Sequence, residues 1–352
     1  MAETALVTGA TGFVGSWVAQ KLLQKGYKVR ALVRESSNRA NLEGLNIEYV
    51  TANYKDVESL KKAVSGVDYV YHVAGVTKAK TEMEYLEGNV RATENMLKAT
   101  YEANPSVKRF LHVSSLAAVG PSPSADKPVD ETTLGKPITM YGRTKNITEQ
   151  ACLRYIYSPT SEKPAKLSIT IVRPPAVYGP RDQDILEFFK AVNKGILPIV
   201  GGKKLISLIH VSDLADGMIM AAEAEYTKDQ PYQMSSSASS AALAQYTYFI
   251  SSAKFYTWDE IGEAVKRALG KSAFKVTIPN GLVNLIATIS EMTSKSGNTP
   301  PPLNKEKAKD IVQDYWICSA EKAKKELGFK EKLSLEQGIK ETADWYKSKG
   351  WL

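Results

Sequence analysis

The chain has 352 residues, which at about 150 residues per domain leaves room for two compact units around a large core. Hydrophobic residues make up 43%, charged residues 24% and the net charge is +8, values that exclude a disordered or collagen-like chain. Two cysteines (Cys152, Cys318) and three histidines (His72, His112, His210) are too few for a disulfide framework or a metal cluster, so no metal is expected.

The opening residues run straight into Ala5-Leu6-Val7 without a basic stretch or a cleavage site. No signal peptide is expected, and a cytoplasmic setting is. Ala5 to Thr8 reads as a strand, Gly15 to Gln24 as a helix closed by Gly26, and Lys28 to Val33 as the second strand. Ile47 to Thr51 is a third strand, Val57 to Val64 a helix, Tyr69 to Val73 a fourth strand, and Tyr85 to Glu102 a long helix. Phe110 to Ser114 is a fifth strand, Met140 to Tyr157 a helix, and Leu167 to Arg173 a sixth strand. Strand–helix alternation with unbroken apolar strands predicts an α/β fold, a parallel, doubly wound Rossmann sheet covered on both faces. Residues 1–180 form this unit, and 181–352 a smaller α/β lobe that is interleaved with it, part of 205–250 returning to the sheet.

In that lobe, Ile185 to Asn193 reads as a helix, Leu205 to His210 as a strand, Asp213 to Glu225 as a helix and Tyr246 to Ser251 as a strand. Ser235 to Ala244 reads as an added loop, rich in serine as far as Ser240. Trp258 to Leu269 is a helix, Val276 to Pro279 a strand, and Leu282 to Met292 an apolar helix overlapping the longest apolar stretch, Gly281 to Ile289, which is too short to span a bilayer. Asn298 to Pro302 is a stiff connector before one more helix. From Lys305 to Lys349 lysines interleave with Glu306, Asp310, Glu321, Glu326 and Glu341, the mark of a solvated face rather than a nucleic-acid site.

Gly9-Ala-Thr-Gly12-Phe-Val-Gly15 follows the first strand and opens a helix. Gly9 permits a sharp turn, Gly12 lets backbone approach a pyrophosphate, and Gly15 allows close helix–strand packing. Free N–H groups at the helix start hold the anion. Tyr141-Gly-Arg-Thr-Lys145 begins a later helix, with both side chains on one face. An ammonium beside the phenol is expected to lower its pKa and fit it for proton transfer. Ser114-Ser115 ends the fifth strand at the edge where such sheets bind ligands.

Together these motifs resemble the extended short-chain dehydrogenase/reductase family, which includes sugar-nucleotide epimerases, dihydroflavonol reductases and 3β-hydroxysteroid dehydrogenases. Asp68 to Gly75, Asn89-Val-Arg-Ala-Thr93, Arg173-Pro-Pro-Ala-Val-Tyr-Gly-Pro180 and His210-Val-Ser-Asp213 extend the resemblance along nearly the whole chain. Ala92 stands where the family usually has glycine, and Asn53 where it often has aspartate. The resemblance implies a catalytic triad of Ser115, Tyr141 and Lys145, with Ser114 structural or touching the cofactor. It implies a dinucleotide held by Gly9, Thr11, Gly12, Phe13, Val14 and Gly15, by Asn53 and Tyr54, and by Val73, Ala74 and Gly75. Ser114, Tyr141, Lys145, Pro174 and Val177 complete that set. It also implies a homodimer paired through the helices near 85–102 and 140–157.

The second strand ends at Val33-Arg34, with no acid to hold ribose hydroxyls, while Arg34, helped by Ser36 and Arg39, can pair with a 2′-phosphate. NADP is therefore expected, with NAD as the alternative. The expected activity is hydride transfer between nicotinamide and a carbonyl or secondary alcohol of a small, ring-bearing apolar substrate. The alternatives are a sugar-nucleotide epimerase and a non-enzymatic NADP-binding sensor or scaffold. Resemblance to the epimerases calls for Asn at the Ala176 position and an Arg-rich element where Asp314 to Ser319 stands, and both are missing. Leu282, Val283, Leu285, Ile286, Ile289, Met292, Tyr315 and Trp316 are candidates to line an apolar pocket, or else form the core of the lobe.

Overall fold

The computed structural model describes residues 2–157, 167–202, 204–225, 239–293 and 304–352. Its strands are β1 (Thr4–Thr8), β2 (Lys28–Val33), β3 (Ile47–Thr51), β4 (Tyr69–His72), β5 (Arg109–Val113), β6 (Ile169–Arg173) and β7 (Ala176–Tyr178). β8 (Ile196–Val200), β9 (Leu205–His210), β10 (Thr247–Phe249), β11 (Phe255–Thr257), β12 (Phe274–Ile278) and β13 (Tyr315–Trp316) follow. Seven strands form one sheet in the order β10-β6-β5-β4-β1-β2-β3, and every pairing is parallel. This is a doubly wound Rossmann sheet, with its crevice where the order reverses between β1 and β4.

Every residue of β4, β5 and β6 is buried, because helices cover both faces. One core packs Val7, Ala31 and Leu111 against the helices Phe13–Gln24 and Val211–Glu223. The other packs Leu6, Val70, Phe110 and Ile171 against Val57–Val64, Ala92–Ala103 and Met140–Tyr157. In the smaller lobe β9 pairs with β7, β11 and β13, and β8 pairs with β12. β10 returns from that part of the chain to the edge of the main sheet, beside β6.

Several expectations need correction. The expected Tyr85–Glu102 helix is instead Glu82–Tyr85, a π-helical Leu86–Arg91 and Ala92–Ala103. Ser239–Tyr246 is a helix rather than loop, and Ala242 and Leu243 are buried against the core. The remainder of the serine-rich stretch (235–238) and the 298–302 connector lie outside the described residues. The end of the chain carries three helices, Lys305–Ile311, Glu321–Leu327 and Leu335–Ser348, instead of one. β7, β8, β11 and β13 were not expected: three have at most three residues, and β8 contains Pro198, which a two-stranded edge tolerates. Among the described residues no helix is long and apolar enough to cross a membrane.

Two buried polar features lock the sheet. Arg173 at the end of β6 donates to Glu149 through Nε at 2.8 Å and Nη2 at 2.7 Å. His72 and His112, partners in the β4–β5 register, stack at 5.7 Å. His72 contacts Thr8 through Nδ1 at 2.9 Å and Thr93 through Nε2 at 3.1 Å. Burial pushes His72 down to about 3 and His210 to about 4, and pushes His112 well below the usual imidazole range.

Removing one partner of a buried ion pair strands the other, so Glu149→Gln should cost about 3 kcal/mol or more. Urea unfolding checks this, and a loss under about 1 kcal/mol would show that the pair is not a structural lock. The histidines set an acid limit. Their folded pKa values are depressed, so the unfolded chain takes up protons first as pH falls. Stability should be intact above about pH 6.5 and decline from there toward pH 3, by up to about 1.4 kcal/mol per pH unit for each histidine. His72→Gln should flatten that slope in urea midpoints taken from pH 7 to pH 5.

Candidate active site

The glycine turn leaves β1 at its C-terminal end. Gly9 has φ +66°, and a Cβ there would lie 2.9 Å from the Ala74 backbone. A Cβ on Gly15 would meet Gly9 O at 2.1 Å, so both positions exclude a side chain. The Phe13–Gln24 helix starts at Gly12 with no side-chain cap and no acid in its first turn. Its amides are the donors an anion needs. Ala74 N donates to Thr8 Oγ1 at 3.1 Å, joining the ends of β1 and β4. Tyr54 brings its hydroxyl to Thr8 and the Gly9 amide, and burial pushes that phenol up to about 12. This cradle, closed to side chains and lined with free donors, fits a dinucleotide. The residues placed around it are Gly9, Thr11, Gly12, Phe13, Val14, Gly15, Val73, Ala74 and Gly75.

Arg34 lies exposed at the end of β2, next to β1 in the register, and its charge acts on Tyr54. Asn41 Nδ2 donates to Thr11 O at 3.1 Å, holding the segment after β2 against the turn. Arg39 is drawn aside, its guanidinium 4.5 Å from the centre of the Tyr49 ring. Asn53 is exposed, and its Oδ1 already accepts from Lys55 N at 3.0 Å.

The catalytic candidates meet at the ends of β4, β5 and β6. Ser115 follows β5 and accepts from Ala117 N at 3.1 Å. Leu116 N donates to Pro174 O at 2.9 Å, tying this turn to the end of β6. The Met140–Tyr157 helix presses against the same turn, and a Cβ on Gly142 would strike Ala117 O at 2.3 Å. Glycine between Tyr141 and Arg143 is what lets Tyr141 reach Ser115, with which its hydroxyl is hydrogen-bonded. Lys145 Nζ donates to Val113 O at 2.7 Å and lies 5.9 Å from the centre of the Tyr141 ring. A Cβ on Gly75 would come within 3.1 Å of both Lys145 Nζ and Asn89 Oδ1. Ser114 is turned away, donating to Glu149 at 2.6 Å. Val177 is half-buried on β7, and Pro174 is buried.

The electrostatics correct one expectation. Burial pushes the Tyr141 phenol up to about 12; Ser115 opposes that shift, while Asp310 and Tyr85 add to it. Desolvation outweighs any help from the ammonium, whose N–H is directed at Val113 O. Burial likewise pushes Lys145 down to about 8, against the opposing pull of Glu149. The phenol is therefore protonated at neutral pH.

Three residues escaped the sequence reading as site candidates. Asn89 was noted only within a motif; it bonds Val76 N and O and Thr144 Oγ1, bracing the catalytic helix. Arg181 has a left-handed φ of 79° and donates to Ser16 Oγ and Gln20 Oε1 on the glycine-turn helix, which adds a cation beside that helix start. Asp310 has a buried Oδ1 with no partner among the described residues, and burial pushes its carboxyl up to about 6. Glu306 on the same helix accepts from Met140 N at 2.6 Å, seating this helix on the start of the catalytic one. Asp310 gains its meaning only through its charge acting on Tyr141, far away in sequence, so no local pattern marks it. The proposed apolar pocket also changes. Val283 is buried, but Leu282, Leu285, Ile286 and Ile289 face outward.

Known proteins agree with this architecture. The sequence profile of the NAD dependent epimerase/dehydratase family matches residues 5–235. The ceramide reductase of Caulobacter vibrioides is 28% identical over 348 residues, spanning 98% of this chain and 95% of its own. A putative dihydroflavonol 4-reductase of Synechocystis is 27% identical over 368 residues, spanning 100% and 97%. The UDP-glucose 4-epimerase of Thermotoga maritima, solved with UDP-glucose, superimposes with a TM-score of 0.75 at 22% identity, covering 98% of this chain and 99% of its own, which establishes the shared fold. The chain thus belongs to the NAD dependent epimerase/dehydratase family, among the extended short-chain dehydrogenases/reductases, and is an NAD(P)-dependent enzyme of that type.

Proposed function

We propose that the protein is an NADP(H)-dependent reductase of an apolar ketone, with residues 1–180 holding the cofactor and 181–352 shaping the substrate site. The observation that carries this reading is the meeting of Ser115 and a protonated Tyr141, with Lys145 behind them, at the sheet edge beside the glycine cradle. The nicotinamide, when bound, supplies the hydride. Tyr141 gives its phenolic proton to the carbonyl oxygen, and Ser115 donates a hydrogen bond to that oxygen. Lys145 holds a positive charge behind the phenol, which favours the phenolate that remains. The orphaned Asp310 Oδ1 is available to a hydroxyl or N–H on the substrate.

The substrate class rests on two supports. Ala176 is exposed and has no donor for a nucleotide diphosphate. A relative aligned over 95% of its own length is named a ceramide reductase, a reductase of a lipid. For the cofactor, Arg34 stands exposed at the β2 end with no acid at Val33.

Tyr141→Phe removes only the hydroxyl. Turnover in an NADPH-oxidation assay over a ketone panel should fall by on the order of 10²-fold or more. Near-normal turnover would remove Tyr141 from its assigned role. Arg34→Ala should weaken NADPH binding by roughly tenfold, the scale of a charge-assisted pair at an exposed site, and leave NADH binding almost unchanged. Calorimetry decides this, and equal or tighter NADH binding by the unaltered protein would overturn the NADP assignment.

A further inference from the structure

Among the described residues eleven large apolar side chains stand exposed, and seven of them lie in one region, so the exposure is a patch rather than scatter. It is built by the β8–β12 pair and the Asn280–Thr293 helix. Strand side chains alternate between faces. On one face of the pair, Leu197 and Ile199 enter the core of the lobe. On the other, Val200 and Ile278 are covered by the helix through Val283 and Ala287. The opposite end of that face is bare: Ile196 and its register partner Phe274 are 48% and 87% exposed, and Val276 is 47% exposed.

The helix is apolar on both sides. Val283 and Ala287 are buried, while Leu282, Leu285, Ile286 and Ile289, spaced i, i+3, i+4 and i+7, form an outward stripe. Asn284 and Thr288 mark a polar side between the two, so the outward stripe is a second apolar face that nothing among the described residues covers. Its 14 residues reach about 21 Å, short of the roughly 30 Å of a bilayer core, so it can lie along a membrane surface but not cross it.

Charge selects the occupant. From Lys271 to the end of the helix at Thr293 the chain carries Lys271 and Lys275 against a single acid, Glu291, and from Lys194 to Gly202 it carries Lys194 and no acid. Lys275 pairs with Asp259 at 2.6 Å. Lys194 and Lys271 are exposed and make no ion pair among the described residues. A second copy meeting this patch face to face would set like charges together. An anionic lipid surface complements both the apolar stripe and its basic rim. The patch is also continuous with the active site: the helix packs on Ala308 of the Lys305–Ile311 helix, which carries Glu306 and Asp310.

We propose that this face docks on an anionic lipid bilayer, and that the enzyme takes its apolar ketone from that bilayer. Only the second clause rests on the reductase reading.

Flotation with vesicles of phosphatidylcholine containing about 30 mol % phosphatidylglycerol, against phosphatidylcholine alone, tests the docking. The unaltered protein should float with the anionic vesicles. Leu285→Glu with Ile289→Glu, and separately Lys194→Glu with Lys271→Glu, should each cut partitioning at least tenfold. Both should keep the thermal midpoint and the NADPH oxidation seen with a short, water-soluble ketone. If the apolar pair fails to fold, the lysine pair decides. Absence of flotation, or flotation unchanged in a folded variant, overturns the proposal. So does a dimer in light scattering that Leu285→Glu with Ile289→Glu converts to monomer, since the occupant is then a second copy. Flotation without turnover on any ketone would sustain the docking and remove the reductase reading instead.

Discussion

The geometry of the active site depends on one buried ion pair. Glu149 lies one helical turn beyond Lys145, is fully buried, and takes both the Arg173 guanidinium and the Ser114 hydroxyl. Three elements meet there: the catalytic helix, the end of β5 and the end of β6. Burying two charges is costly unless their geometry is close to ideal. That cost is also what makes the contact selective, because a one-residue slip of the helix would leave both charges stranded. The same carboxylate opposes the desolvation of Lys145. The lock on the fold thus helps keep the ammonium charged.

Around this pair the catalytic helix is held from three further sides. Gly142 lies against the Ala117 carbonyl, Asn89 bonds Thr144, and Glu306 takes the amide of Met140. The last contact comes from a part of the chain more than 160 residues away in sequence. The C-terminal part of the chain therefore helps seat this helix, and through Asp310 it also raises the Tyr141 pKa. Burial and a nearby carboxylate both favour the neutral phenol.

Much of this was readable from residues alone, because it rests on local rules. Unbroken apolar strands and the glycine turn mark the sheet and the cradle, and the Tyr141–Lys145 spacing marks the pair proposed to serve proton transfer. What was not readable depends on distant contacts. β13 is two residues long and exists only because β9 lies beside it. Asp310 resembles any charge on a solvated face until a remote tyrosine is brought near. Ser239–Tyr246 carries helix formers from Ala241 to Gln245, but the serine run before them reads as loop, and the burial of Ala242 and Leu243 fixes the helix. The Leu282–Ile289 stripe was legible as apolar but not as outward-facing, since periodicity cannot assign a face when both faces are apolar. The phenol pKa was misjudged for a related reason: spacing brings Lys145 near, but only the fold determines how much water is lost.

The π-helical stretch Leu86–Arg91 has an evolutionary consequence. A π turn is an α-helix holding one residue too many. Deleting one residue would leave a more regular helix between Glu82 and Ala103, but would rotate the turns on one side of the cut by about 100°. Asn89 would then swing away from Val76 and Thr144, the two ends it joins. Local helical stability and the bracing of the catalytic helix thus pull this segment in opposite directions. The surplus residue is therefore one that this bracing cannot lose.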